Sequence, residues 1–231
     1  MRFVESLDDV PEGETVLFSA HGVPPSVRAR AAARGLKVVD ATCPFVARAH
    51  RQVRGFAVRG VPVVVVGHAD HAEVRGVRGE CANARVVGTP DDVAALSFPE
   101  GPVGAVCQTT LSHDAVCAVL DALRARYPHL ETPAAADVCT ATRDRQRAVA
   151  EFVRSGGDGV LVLGSAGSSN TNRLVEVARA AGASFAARAG TFEEVRALNF
   201  AGVRRLGVTA GASTPEDFLA RVVADFGILA P

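Results

Sequence analysis

Two histidines and two carboxylates crowd into one short stretch, Gly67-His68-Ala69-Asp70-His71-Ala72-Glu73. Imidazoles and carboxylates so placed suit acid–base work, contact with an anionic ligand or metal binding. The spacing is not the His-Glu-x-x-His of a zinc helix, and a solvated loop is the commoner fate of such a stretch. His21, in Ser19-Ala20-His21-Gly22, poses the same alternatives among small residues. Cys43 and Cys139 each follow an apolar run and precede a helical pattern. A helix N-terminus favours thiolate, the form that binds metal or attacks carbon. The rival reading is a small buried hydrophobe, the usual state of a free cysteine. Cys117 falls on the apolar stripe of its helix and reads as core, whereas Cys107, just before Gln108-Thr109-Thr110, stays ambiguous. The richest segment is Gly164-Ser-Ala-Gly-Ser-Ser-Asn-Thr-Asn172. Its backbone N–H groups and its Ser and Asn side chains can surround an anion at a helix start. It has no Gly-Lys-Ser/Thr ending and is not a dinucleotide fingerprint. Ordinary N-capping accounts for Ser169 or Asn170 alone, but not for Ser168, Ser169, Asn170 and Asn172 together.

All of these residues sit just after short, Val-rich apolar runs. VLF leads into Ser19–Pro25, VVD into Ala41–Pro44 and VVVV into Gly67–Glu73. VGAV leads into Cys107–Thr110, ADV into Cys139–Arg143, VLVL into Gly164–Asn172 and LGV into Thr209–Pro215. Short runs with little alternation are strands buried on both faces. Amphipathic segments separate them. Phe45, Val46, Ala49, Val53, Phe56 and Ala57 keep helical spacing up to a stop at Gly60, and Val116, Val119, Leu120 and Leu123 follow an N-cap at Ser112. Thr191-Phe-Glu-Glu194 predicts a capping box, and Thr214-Pro215-Glu216-Asp217 an N-cap with a first-turn proline. Gly88–Pro102 and Tyr127–Ala136 read as connections. Alternating strands and helices imply an α/β fold of βαβ units with mostly parallel sheets, in which ligands bind beyond the carboxyl ends of the strands. Loaded strand ends throughout the chain predict one shared site.

Composition narrows the class. The chain has 231 residues, 48% hydrophobic, which excludes a disordered protein. Lys and Arg total 25 and balance 25 Asp and Glu, so a broad nucleic-acid footprint is not expected. The apolar runs are too short to span a bilayer, and no signal peptide pattern opens the chain, so a cytoplasmic protein is expected. Five irregularly spaced cysteines are no disulfide framework.

Seven stretches, in order, resemble the 4-hydroxy-3-methylbut-2-enyl diphosphate reductase family (IspH, or LytB): FSAHGV, DATCP, VGHADHAEV, QTTLS, DVCTATRDRQ, GSAGSSNTNRL and GVTAGASTP. The resemblance runs from about Val16 to the C-terminus. It implies reductive loss of a hydroxyl from the substrate, giving isopentenyl and dimethylallyl diphosphate in the methylerythritol phosphate pathway. It implies a 4Fe–4S cluster held by cysteines, with Cys43 and Cys139 matching two ligands. Diphosphate contacts fall on His21, His71, Ser168, Ser169, Asn170 and Ser213. Glu73 matches the proton-delivering carboxylate, and Thr109 the hydroxyl that positions the substrate's oxygen. The resemblance also implies an external electron donor such as ferredoxin or flavodoxin, a monomer, and three similar α/β domains around a central cleft. These would be a partial first domain at 1–40, a second at 41–136 and a third at 137–231.

The chain departs from the family at one point. The family's remaining cysteine lies in a Gly-x-Cys-x-Gly-Val segment followed by a further diphosphate-binding histidine, and neither pattern is found here. Cys107 is a poor substitute, because it must also meet cluster geometry. Three accounts stand: a true start further upstream, a cluster-free paralogue that binds diphosphates, or a second polypeptide that supplies the segment. The first is narrowly favoured. A cysteine-nucleophile hydrolase is a further option that needs a close Cys–His pair.

Overall fold

The computed structural model describes residues 2–132 and 140–226, with side chains in the second stretch from 141 onward. Residues 2–109 and 113–132 form one compact unit, and 110–112 with 140–226 form another.

The first unit holds two parallel sheets. Strands β1 (Thr15–Phe18) and β2 (Lys37–Asp40) pair in register, joined by helix α1 (Pro25–Ala33). Val16 and Phe18 point into a small core with Leu7, Val10, Ala31 and Leu36. The register partners Leu17 and Val39 stay 47% and 51% exposed, so one face of this pair is uncovered. The second sheet has the order β4-β3-β5-β6. It comprises β3 (Val63–Val66), β4 (Arg85–Val87), β5 (Val103–Cys107) and the short β6 (Leu130–Glu131), all parallel. Each valine of β3 is at most 1% exposed, as an unbroken apolar run predicts for a strand covered on both sides. Helix α2 (Pro44–Val58) buries Val46, Ala49, Val53 and Phe56, and the chain then turns at Gly60 with φ +69°. Helix α3 (Ala72–Arg78) packs beside it, and α5 (His113–Arg126) buries Val116, Val119, Leu120 and Leu123.

The second unit is a three-stranded parallel sheet, β8-β7-β9. Along β7 (Gly159–Leu163), Val160 and Val162 pack toward α6 (Thr140–Arg154) and α7 (Ser169–Ala180). The alternate residues Leu161 and Leu163 pack with β8 (Phe185–Ala189), α8 (Phe192–Ala197) and α9 (Glu216–Asp225). A period of two thus feeds two cores from one strand.

Both larger sheets change direction at a central strand. β3 is followed by β4 on one side and by β5 on the other, and β7 likewise by β8 and then β9 (Leu206–Ala210). At such a switch point the connections leave in opposite directions and open a crevice beyond the strand ends. The segments after β3 and β5, and after β7 and β9, are the ones richest in candidate residues.

Some local readings need correction. Gly88–Pro102 is not only a connection: Thr89 and Asp92 form a capping box for α4 (Pro90–Ala94). Within Tyr127–Ala136, Leu130–Glu131 pairs with β5. Thr191 caps α8 as expected, but the Glu194 carboxylate accepts from the N–H of Gly190, not of Thr191. Thr214 is not the N-cap of α9. Pro215 holds that position, and the Thr214 hydroxyl donates to the Leu163 carbonyl at the end of β7 at 2.8 Å. A carbonyl at a strand end beside the switch point competes successfully for that hydroxyl. Cys117 is half-buried, not core, because its sulfur lies 3.5 Å from Nε2 of exposed His113 on the rim of α5.

Candidate functional site

In the first unit the site is built on the ends of β1, β2, β3 and β5. After β1 the chain closes a turn, the Gly22 N–H donating to the Ser19 carbonyl, with Gly22 at φ +71°. Only glycine adopts that conformation freely, and the turn presents His21 to solvent. After β2, Cys43 becomes the N-cap of α2, half-buried, with no side-chain capping bond. Its N–H donates to the Ala20 carbonyl, tying the Cys43 turn to the His21 turn. The thiol therefore stands at the N-terminal end of a 15-residue helix.

His71 is the N-cap of α3, and its Nδ1 accepts from the Glu73 N–H at 3.3 Å. An acceptor nitrogen carries no proton, so the ring is neutral with its proton on Nε2. Burial, then the charges of His21, His68 and Arg75, push its pKa down to about 4. The rings of His21 and His71 meet edge to face, 5.3 Å apart. Two elements distant in sequence thus present two imidazoles to one place.

Glu73 is 1% exposed. Its two carboxyl oxygens take the Thr109 N–H at 2.7 Å and the Thr109 hydroxyl at 2.9 Å. Burial pushes its pKa above the usual carboxylate value, although both bonds from Thr109 oppose that shift. Burial favours the neutral form of a carboxyl, and one joined to a hydroxyl is suited to proton transfer. Sequence reasoning gave no role to Gln108. This 1%-exposed side chain accepts from the His68 N–H at 3.0 Å, and a Cβ on Gly67 would come within 3.0 Å of it. Gln108 and Thr109 together grip both ends of the segment from β3 to α3. The signal in the sequence was a large amide placed directly after a buried strand.

In the second unit, Ser168 is the N-cap of α7 and its hydroxyl accepts from the Thr171 N–H at 3.3 Å. Asn172 holds the loop from below, donating to the Ala166 carbonyl at 2.8 Å. Asn170 is only 6% exposed, yet neither its amide nitrogen nor its amide oxygen has a hydrogen-bond partner. Ser169 is half-buried beside it. Ser213 is exposed in the turn after β9, the strand next to β7. Thr171, which sequence reasoning passed over, is fully buried. A Cβ on Gly164 or on Gly211 would lie 2.4 or 2.3 Å from its Oγ1, so both loops close on this hydroxyl and need glycine there.

Iron–sulfur clusters take thiolate ligands. Of the two cysteines that match family ligands, Cys43 lies within the described residues and Cys139 falls outside them. Among the described residues no three His, Cys, Asp or Glu side chains group to hold a metal ion. One placed thiol does not complete a cluster's coordination. No helix among the described residues is long and apolar enough to cross a membrane.

Comparison with known proteins shows the family. Residues 1–226 match the family described as LytB protein. The 4-hydroxy-3-methylbut-2-enyl diphosphate reductase 2 of Mycobacterium bovis is 47% identical over 227 residues, covering 96% of this chain and 68% of that protein. The 4-hydroxy-3-methylbut-2-enyl diphosphate reductase of Cutibacterium acnes is 43% identical over 96% of this chain and 69% of its own length. Among solved structures, the E-1-hydroxy-2-methyl-but-2-enyl-4-diphosphate reductase of Plasmodium falciparum superposes with a TM-score of 0.90 and 32% identity, covering 96% of this chain and 70% of that one. The chain belongs to the LytB protein family.

Proposed function

We propose that the chain is a 4-hydroxy-3-methylbut-2-enyl diphosphate reductase, which removes the allylic hydroxyl reductively to give isopentenyl and dimethylallyl diphosphate. The observation that carries this reading is the extent of the family match, residues 1–226, which takes in the strand-end residues described above. Two electrons come from an external donor such as ferredoxin or flavodoxin, and the protein works as a cytoplasmic monomer. A 4Fe–4S cluster with Cys43 and Cys139 among its ligands belongs to this proposal.

The residues divide the work by chemistry. A diphosphate offers several acceptor oxygens and little else to grip. Ser168, Ser169 and Asn170 surround the first N–H groups of α7, where the helix dipole favours negative charge. The unpartnered amide of Asn170 is unfavourable as it stands and gains a partner when a phosphate oxygen arrives. Ser213 adds a hydroxyl. His71 offers Nε2–H while Nδ1 stays on the Glu73 N–H, so it binds the anion as a neutral donor. His21, exposed beside it, adds a second imidazole. Glu73, whose pKa burial raises, is the proton source in this reading, and the Thr109 hydroxyl bonded to it orients the departing oxygen.

The test is turnover. After anaerobic reconstitution with iron and sulfide, the protein is given 4-hydroxy-3-methylbut-2-enyl diphosphate and reduced flavodoxin, and both product diphosphates are expected. Bound iron and sulfide at about four each without product would overturn the reaction. Pyrophosphate binding without bound iron would leave a diphosphate-binding protein in its place.

A further inference from the structure

Helix α2 carries a buried polar group that the proposed reaction does not use. His50 is 5% exposed, and its Nδ1 lies 2.8 Å from Oε1 of Glu80, just beyond α3. Arg54, one turn further along α2, donates from Nε and Nη2 to the same carboxylate, each at 3.0 Å. The Glu80 side chain is only 3% exposed. Burial pushes its pKa up, but the Arg54 guanidinium and His50 outweigh that and hold it below the usual value. The ring is therefore clamped at one nitrogen. Its other nitrogen, Nε2, is buried without a hydrogen-bond partner. A buried polar atom without a partner is unfavourable, and an apolar side chain of similar size would avoid the penalty. Core stability alone does not explain the choice of histidine.

The surroundings of Nε2 give another reason. A Cβ on Gly22 would lie 2.9 Å from it, and a Cβ on Gly76 would lie 3.3 Å from it. Gly22 directly follows His21, and Gly76 lies on α3, the helix that begins with His71 and Glu73. The same Cβ on Gly76 would come within 3.6 Å of the Gly22 carbonyl carbon. One turn on, a Cβ on Gly79 would meet Pro24 at 2.5 Å. The His21 turn thus rests on α3 backbone against backbone, and the imidazole of His50 forms the floor of that contact.

We infer that His50, anchored by Glu80 and Arg54, is a positioning residue that sets the separation of His21 and His71. This inference relies on the proposed function for its purpose, because the two imidazoles matter as a pair only if one anion meets both. A smaller side chain lets the His21 turn sink toward α2 and parts the rings, while the residues that touch the ligand stay unchanged in kind.

The experiment reads the ring pair directly and the ligand separately. In the ligand-free protein, the wild type should show a nuclear Overhauser contact between ring protons of His21 and His71, and His50→Ala should lose it. Pyrophosphate affinity, read by calorimetry, should fall about tenfold in His50→Ala, since small misplacements are expensive in a preorganised site. His50→Gln, which keeps much of the volume and can still donate to Glu80, should restore both readouts in large part. An intact inter-ring contact in His50→Ala overturns the inference, whatever happens to thermal stability. Loss of the contact in a protein that never binds pyrophosphate upholds the positioning role and overturns the diphosphate reading instead. Should His50→Ala not fold, the shorter donor of His50→Asn takes its place with the same expected and overturning results.

Discussion

The crevice after β3 and β5 and the crevice after β7 and β9 are built alike. In each, a buried central strand gains neighbours on both sides, a loop follows, and a polar side chain caps the next helix: His71 for α3 and Ser168 for α7. Their chemistry differs. The first is titratable and closed on itself, with the Glu73 carboxyl bonded twice to Thr109. The second has no ionisable group among its candidates and leaves the Asn170 amide unpaired. On the proposed function, one topology serves two tasks. Internal pairing with burial tunes a proton, whereas an unpaired neutral amide at a helix start awaits an anion.

The sharpest way to break the contrast is Glu73→Gln. The amide keeps the shape and can still accept from the Thr109 N–H, but it has no acidic proton to give. Turnover in the flavodoxin-driven assay should drop by roughly 10²–10⁴-fold, the range for loss of a general acid. Pyrophosphate affinity should stay within about twofold, because Glu73 itself is not among the groups proposed to hold the anion. Equal loss of both would place Glu73 among the groups that hold the anion and end its assignment as a proton source.

Thr109→Val probes the closed character of the first crevice. It removes the hydroxyl from Glu73 while keeping the volume, so a buried carboxyl oxygen loses its partner. The unfolding free energy should fall by about 1–3 kcal/mol, as for other buried polar groups left unsatisfied. Urea unfolding of the ligand-free protein measures it. A neutral result would mean that Glu73 and Thr109 are only neighbours.

Asn170→Ala should behave in the opposite way. Its amide has no partner to lose, so ligand-free stability should change by less than about 1 kcal/mol, or even rise. Pyrophosphate affinity should fall by roughly tenfold, the worth of one or two hydrogen bonds to a charged group. Paired calorimetry and urea unfolding decide. A large loss of stability with affinity intact would make Asn170 a structural residue.

The sequence made the strand ends legible because short valine runs and polar loops differ sharply in composition, and both switch-point crevices carry residues that stood out there. The start of α2 at Cys43 was equally local, and so were the buried faces of α2 and α5, whereas the cap at His71 was not anticipated. What stayed hidden depends on partners far along the chain. His50 meets Glu80 thirty residues away, and Gln108 meets His68 forty residues away. Nothing near either residue announces the pairing. Thr214 misled for the same reason, since its hydroxyl chose a carbonyl 51 residues distant over its own helix. Local propensity proposes a cap, and a tertiary acceptor at a strand end can override it.

The smallest expected effect lies in the pH dependence of stability, where the two crevices should differ in kind. His71 has its pKa pushed down to about 4 from an ordinary 6.5. The unfolded chain therefore takes up the proton first, so the contribution of His71 is present above 6.5 and is lost as pH falls toward 4. Glu73 acts with the opposite sign. Its raised pKa means that the folded chain holds the proton longer, so stability is lost as pH rises above 4.5. His71→Asn, which keeps a good helix cap, should flatten the acid side of the stability profile. Glu73→Gln should flatten the loss above 4.5. Ser168→Ala and Asn170→Ala should shift the whole profile without changing its shape, because neither residue titrates. Thermal midpoints at a series of pH values would show it. A change of slope in either of those two variants would mean that the second crevice is electrically coupled to a titrating group, and its neutral character would have to be given up.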